Sequence, residues 1–221
     1  MHRSSTGTGL RSGMRHSTMP DLMNLQVPKS HISGTIPQGL TLIPDFLTAK
    51  ERKDIEEWTR VRAAAVLPNK GSGMHYEWFG APDFKAEFPE WSQEIVARLQ
   101  ERKIFKNAPP NSILLTQYRP GVGNNTHIDE DRYGEIIAGL SLGATCVMNM
   151  QRFREKAQLL LESGSMYVFQ NEARRDWTHE IPRATSGKFQ DKDWQRTDDR
   201  FSYTFRKIDD LSWWKWWNGE S

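Results

Sequence analysis

The sequence predicts an α+β chain with a sandwich or jelly-roll barrel as its core and two N-terminal helices packed outside. Three observations carry this. Up to about residue 100 apolar residues recur at helical spacing. From Ser112 onward the period shortens to two. Turn signals then cut the chain into at least seven short apolar runs, too many for an α/β alternation.

The elements follow in order. Residues 1–36 are rich in Ser, Thr and Gly, carry Arg3, Arg11 and Arg15, and hold no acid before Asp21. They read as a disordered tail or a targeting segment, a mitochondrial transit peptide being basic, Ser-rich and poor in acids. The ordered domain is expected over 37–210. Within "LTLIPDFLTAKERKDIEEWTR", Thr48 followed by Glu51 is a capping-box pattern, predicting a helix over about 49–60. Residues 66–87 mix Gly, Pro and aromatics and read as strands or long loops. Trp91, Ile95 and Leu99, spaced by four, give a second helix with one apolar stripe, which "KNAPPN" ends. The strands are "SILLTQYR", "EIIAGLSL", "ATCVMNM", "AQLLLE", "SMYVFQN", "WTHEI" and "RFSYTFRKI", with a polar loop over 183–199 before the last. The tail 211–221, "LSWWKWWNGES", holds four of the nine tryptophans and is expected to pack back on the domain, to stack on RNA or to meet a membrane interface.

Bulk composition sets limits. With 221 residues and 37% hydrophobic content the chain can bury one domain core. A net charge of +2 is too mild to argue for nucleic acid on charge alone. The lone Cys146 forms no intramolecular disulfide, lies in an apolar run and fits a reducing compartment. No apolar stretch approaches the roughly 18 residues of a bilayer span. An intracellular monomer is expected, cytoplasmic or mitochondrial.

The segment "NNTHIDEDRYGEIIAGLSL" places His127 and Asp129 one residue apart where a polar turn runs into an apolar strand. On an extended backbone these two share a face, and Ile128 is expected to point into the core. His179, in "DWTHEI", is the candidate third ligand. Two histidines and a carboxylate leave open positions on an octahedral iron, the facial triad of non-haem oxygenases. A zinc site, or a histidine merely hydrogen-bonded to its neighbour, fits these three residues as well. In "RFSYTFRK" the period of two puts Arg200, Ser202, Thr204 and Arg206 on one face and Phe201, Tyr203 and Phe205 on the other. Two arginines on one strand face suit an anion, since a guanidinium forks onto a carboxylate; a solvent-facing edge strand is the alternative.

Taken together, H-x-D, a distal His, R-x-S-x-T-x-R and the upstream "QYRPG" resemble the AlkB family of Fe(II)- and 2-oxoglutarate-dependent dioxygenases, over roughly residues 41–208. The resemblance implies a double-stranded β-helix (jelly-roll) core and the cofactors Fe(II) and 2-oxoglutarate, with O2 as co-substrate. It implies His127, Asp129 and His179 as metal ligands. Arg200, with Tyr118, would pair the distal carboxylate of 2-oxoglutarate, and Arg206 would sit nearer the metal. Six residues of strand span about 20 Å, too far for one carboxylate to hold both arginines. Ser202 stands where an asparagine is familiar and is placed with the cofactor residues; Thr116 replaces another asparagine. The implied reaction decarboxylates 2-oxoglutarate to succinate and hydroxylates a substrate C–H bond, with demethylation when that carbon is an N-methyl group.

On substrate, an acid at the position of Asp131 resembles the group that reads a nucleobase amino edge in base-repairing members; a solvated loop acid is the alternative. The stretch "GSGMHYEWFGAPDF" is a candidate lid, with His75, Tyr76, Trp78 or Phe79 stacking on a base. The favoured expectation is an alkylated or modified nucleobase, in RNA or tRNA rather than DNA. The alternatives are a protein- or small-molecule-directed hydroxylase of the mitochondrial AlkB-like branch, and a non-catalytic RNA-binding module with a relic site.

Overall fold

The computed structural model describes residues 27–66, 73–82, 85–106 and 108–217, so the possible targeting segment over 1–26 lies outside the described residues. Two sheets form the core. The larger is built from β2 (Leu40–Ile43), β3 (His75–Gly80), β4 (Ser112–Tyr118), β5 (Ile137–Gly143), β8 (Met166–Phe169) and β12 (Arg200–Arg206), in the order β2-β8-β5-β12-β4-β3. The smaller runs β1 (Ile32–Gly34), β7 (Glu155–Leu161), β6 (Cys146–Arg152), β9 (Thr178–Glu180). Every pairing is antiparallel, and the two sheets make the expected double-stranded β-helix core. All seven expected strands are present, as β4 to β9 and β12.

The two expected helices pack on the outer face of the larger sheet. α1 spans Ala49–Val66 and α2 spans Ser92–Glu101. At the start of α1 the capping box is made in both directions: Glu51 N–H donates to Thr48 Oγ1 at 3.2 Å and Thr48 N–H to Glu51 Oε2 at 2.7 Å. α1 runs to Val66, beyond the expected end, and Ala63 there continues the buried stripe of Ile55 and Thr59. The stripes of both helices, with Ile55, Ile95 and Leu99, close over Phe201, Tyr203 and Phe205 of β12. Thr59 Oγ1 meets the Tyr203 hydroxyl at 2.8 Å, and the Trp91 ring stands edge-on to Tyr203 at 4.8 Å.

Two expectations are corrected. The tail does not extend to residue 36: Val27 and Ile32 are buried, and β1 pairs with β7 from Ile32 to Gly34. Its three residues are too few for a period-two signal. Residues 183–199 are not one loop, since Ser186–Phe189 (β10) and Lys192–Gln195 (β11) form a hairpin that buries Phe189 and Trp194 against Val147 and Leu160. The tail after residue 210 carries a short helix, α4 (Ser212–Trp217).

Candidate active site

β12 is the central strand of the larger sheet, hydrogen-bonded to β4 and β5, and not a solvent-facing edge. Its second face opens onto a cavity of about 360 Å³ between the sheets, lined by Arg200, Ser202, Thr204 and Arg206. The neighbours explain the space. Opposite these four on β5 stand Gly143, Ser141, Gly139 and Ile137, so three of the four partners are small. A Cβ on Gly139 would lie 2.1 Å from Tyr167 Cζ, so only glycine lets the Tyr167 ring cross the strand. On the other side Tyr118, Thr116 and Leu114 of β4 pair with Arg200, Ser202 and Thr204, and all line the cavity.

At one end of the cavity His127, Asp129 and His179 converge, with one donor atom from each lying within 4.8 Å of the others. The chain holds them by backbone. His127 and His179 form a two-bond antiparallel bridge, His127 N–H to His179 O at 3.1 Å and His179 N–H to His127 O at 2.8 Å. His127 Nδ1 donates to Asn125 O at 2.8 Å, which fixes the tautomer and leaves Nε2 as the free donor pair. His179 Nε2 stands 3.6 Å from Asp129 Oδ2, and Arg206 donates to Asp129 Oδ1 at 3.1 Å. Burial pushes the His179 imidazole down to about 4, so it is neutral at physiological pH, as a ligand must be. Burial alone would raise the Asp129 carboxyl, but Arg206 and the two histidines together hold it below its usual value. Ile128 is 38% exposed and does not enter the core: His127 to Asp129 is a loop held by one isolated bridge, not a strand within a sheet.

At the other end Arg200 is fully buried, with Nε and Nη1 lacking any hydrogen-bond partner among the described residues. Its guanidinium lies 5.0 Å from the Tyr118 ring centre. Burial pushes the Tyr118 phenol up to about 12, keeping it a neutral donor. A buried guanidinium with orphan donors is costly unless an anion completes it. A carboxylate fits this end, and a divalent metal fits the His127–Asp129–His179 end, whose nitrogen and oxygen donors suit Fe(II).

Two further arginines hold the site and escaped sequence reasoning. Arg174, in α3 (Asn171–Arg175), donates to Asp129 O at 2.7 Å, Glu130 O at 2.7 Å and Gly134 O at 3.0 Å, clamping the loop that carries Asp129. Arg196, fully buried, donates to Val122 O at 2.7 Å and Ala184 O at 2.8 Å, which lie upstream of His127 and downstream of His179. Neither has a motif. Arg174 looks like Arg175 in sequence, yet only one of the pair is buried. Tyr167 was missed too; the alternation in "SMYVFQN" sets it with Phe169 on one strand face, but does not say that face meets a cavity.

Of the substrate residues, the structure brings Tyr76 to the cavity and Trp78 beside it, both on the β3 face that continues Thr116 and Leu114. Phe79 is buried in the helix-side core, and His75 shares its face. Asp131 is not brought in. It sits in the 3-10 turn Asp131–Tyr133, its side chain 91% exposed and ion-paired with Arg175. That turn interrupts the extended backbone, so the parity of His127 and Asp129 does not carry on to a third acid.

The model of the 2OG-Fe(II) oxygenase superfamily matches residues 59–206. Among curated proteins, the chain is 27% identical over 202 residues to the alkylated DNA repair protein ALKBH8 homolog of Arabidopsis thaliana, covering 77% of this chain and 58% of that one. It is 24% identical over 211 residues to tRNA (carboxymethyluridine(34)-5-O)-methyltransferase alkbh8 of Xenopus tropicalis, covering 82% and 33%. Over a shorter stretch of 101 residues it is 35% identical to the mitochondrial alpha-ketoglutarate-dependent dioxygenase alkB homolog 7 of Mus musculus, covering 42% and 46%. The chain thus spans less than two thirds of each of these relatives. The solved structure of OsALKBH1 superposes with a TM-score of 0.58 at 18% identity, covering 78% of this chain and all of that one. No helix among the described residues is long and apolar enough to cross a membrane.

Proposed function

This chain belongs to the 2OG-Fe(II) oxygenase superfamily as an AlkB-like dioxygenase using Fe(II), 2-oxoglutarate and O2, and from that premise we propose that it oxidises an alkylated or modified nucleobase in RNA. One observation carries the substrate. The cavity opens toward Tyr76, which is 62% exposed, and beyond it toward Trp78 and Tyr133, whose ring centres lie 6.1 Å apart. Aromatic rings at the mouth of an oxidising site, Tyr76 exposed and Trp78 and Tyr133 half-buried, suit a flat base drawn out of its stack. The names of the ALKBH8 relatives concern DNA repair in one case and tRNA in the other, which supports a nucleic-acid substrate; the tRNA name alone favours RNA.

In this reading His127, Asp129 and His179 hold the iron, which when bound supplies oxygen activation coupled to decarboxylation of 2-oxoglutarate. His127 offers Nε2 because Nδ1 is spent on Asn125. Asp129 stays ionised through Arg206, and Arg174 fixes its backbone. Arg200 and Tyr118 take the distal carboxylate at the closed end, with Ser202 beside them. Orienting the cofactor from that end turns its other end toward the three ligands. The product is a hydroxylated carbon, and an N-methyl substrate is demethylated.

A protein- or small-molecule-directed hydroxylase of the mitochondrial AlkB-like branch is the second reading; the 35% identity over 101 residues to the mitochondrial alkB homolog 7 supports that branch, and its name gives no substrate. The relic-site reading has no such support, since all three donors and both arginines are in place. Succinate release separates the two enzymes: methylated RNA stimulates it in the first reading, a peptide pool in the second. His127→Ala or Asp129→Ala should abolish 2-oxoglutarate turnover while circular dichroism stays unchanged. Turnover near wild type in either would remove the metal assignment.

A further inference from the structure

Next to the active-site cavity lies a second groove of about 750 Å³, and the two share Tyr76 and Leu114. Its walls are aromatic: Tyr76 and Trp78 of β3, Tyr133, and Trp213 and Trp214 of α4. The C-terminal tryptophans thus stand opposite the rim of the oxidising site. Their placement is anchored, because the Arg132 guanidinium lies 3.9 Å from the Trp213 ring centre. Arg132 itself stems from the turn just after the HxD segment and pairs with Glu130. From there aromatic and cationic groups lead inward. Arg206 stacks on Tyr133 at 4.1 Å and holds Asp129.

Three features say what this groove takes. Its lining is apolar and π-faced, and Arg132 is its only charged lining group among the described residues, with Glu130 paired to it from outside the groove. The Trp213 Nε1–H is buried without a partner among the described residues, a donor awaiting an acceptor. The groove adjoins the cavity at Tyr76 and Leu114, so one extended ligand can reach into both. Resting on the nucleobase reading above, we propose that the groove is a subsite for an unpaired nucleotide flanking the target base in single-stranded RNA. Its base stacks among Trp78, Tyr133 and Trp213, and its backbone passes Arg132. The tail after residue 210 is then part of the substrate interface, not a packing appendage.

The test is binding of a fluorescein-labelled, unmodified single-stranded 12-mer RNA, read by anisotropy, for wild type, Trp213→Ala and Trp213→Phe. Calorimetric 2-oxoglutarate affinity serves as the check on folding. Trp213→Ala should weaken RNA binding about tenfold, equal to about 1.4 kcal/mol, and Trp213→Phe should restore most of it. Equal RNA affinity in wild type and Trp213→Ala overturns the subsite. So does a wild type that ignores the RNA but binds a peptide pool, which would make this a polypeptide groove. A parallel assay follows oxidation of methylated single nucleosides and methylated RNA. RNA bound through Trp213 but never oxidised keeps the subsite and removes the nucleobase reaction. Nucleosides oxidised with RNA binding indifferent to Trp213 removes the subsite and keeps the reaction.

Discussion

On one face of β12, Phe201, Tyr203 and Phe205 are locked beneath α1 and α2. On the other, one residue out of step, Arg200, Ser202, Thr204 and Arg206 line the cavity. Both faces are equally buried, with no residue of the strand more than 7% exposed. They differ in satisfaction. The helix face is close-packed, and its one hydroxyl, on Tyr203, is bonded to Thr59. The cavity face keeps donors on Arg200 and Arg206 that are unmet among the described residues. Donors left unmet on a face that lines a cavity suit a partner that the fold does not itself supply. Alternation lets one strand stabilise with odd residues and bind with even ones.

The largest effect that would break this division is at Phe205. Phe205→Ala should cost about 3–5 kcal/mol of unfolding free energy, a large part of a domain's stability. The folded fraction should still bind 2-oxoglutarate within about twofold, as a calorimetric titration at low temperature would show. A loss of affinity to match would mean the faces are coupled. Arg200→Ala reverses the pattern. Affinity for 2-oxoglutarate should fall about tenfold to a hundredfold, as expected for a lost charged fork. Cofactor-free stability in urea should hold or rise, since an unpaired buried charge is removed.

Smaller effects sharpen the comparison on the helix side. Arg98 hydrogen-bonds Glu51 and, despite partial burial, takes that carboxyl down to about 2. The folded value lies below the ordinary one of 4.5, so this contribution is complete above pH 4.5 and is lost as pH falls toward 2. Glu51→Gln should cost about 1 kcal/mol at neutral pH and flatten the stability profile between those limits, while 2-oxoglutarate turnover at neutral pH is unchanged. The smallest effect is at Asp131. Its exposed pair with Arg175 predicts a change under about 0.5 kcal/mol for Asp131→Ala, with RNA-stimulated turnover intact. A selective loss of that turnover would restore the base-reading role that its sequence position suggests.

The contrast between Asp129 and Asp131 shows what the sequence carried. Parity is local, so the strand faces, the capping box and the pairing of His127 with Asp129 were readable wherever the backbone stayed regular. The 3-10 turn at Asp131 breaks the period, and from there parity misleads. Arg174 and Arg196 were unreadable for another reason. Their partners are backbone carbonyls distant in sequence, and carbonyls carry no residue identity. The β10–β11 hairpin hid within polar residues because it buries mainly Phe189 and Trp194, too few for a run.

The central position of β12 also sets the order in which a growing chain can complete itself. α1 and α2 end at Val66 and Glu101, yet the strand they cover begins at Arg200. At roughly 5–20 residues per second, the α1 stripe waits on the order of ten seconds for its partner to be synthesised. During that interval Ile55, Ile95 and Leu99 lack the aromatic surface they finally meet. A nascent chain therefore carries the α1 and α2 stripes without their β12 cover until residues 200–206 are made.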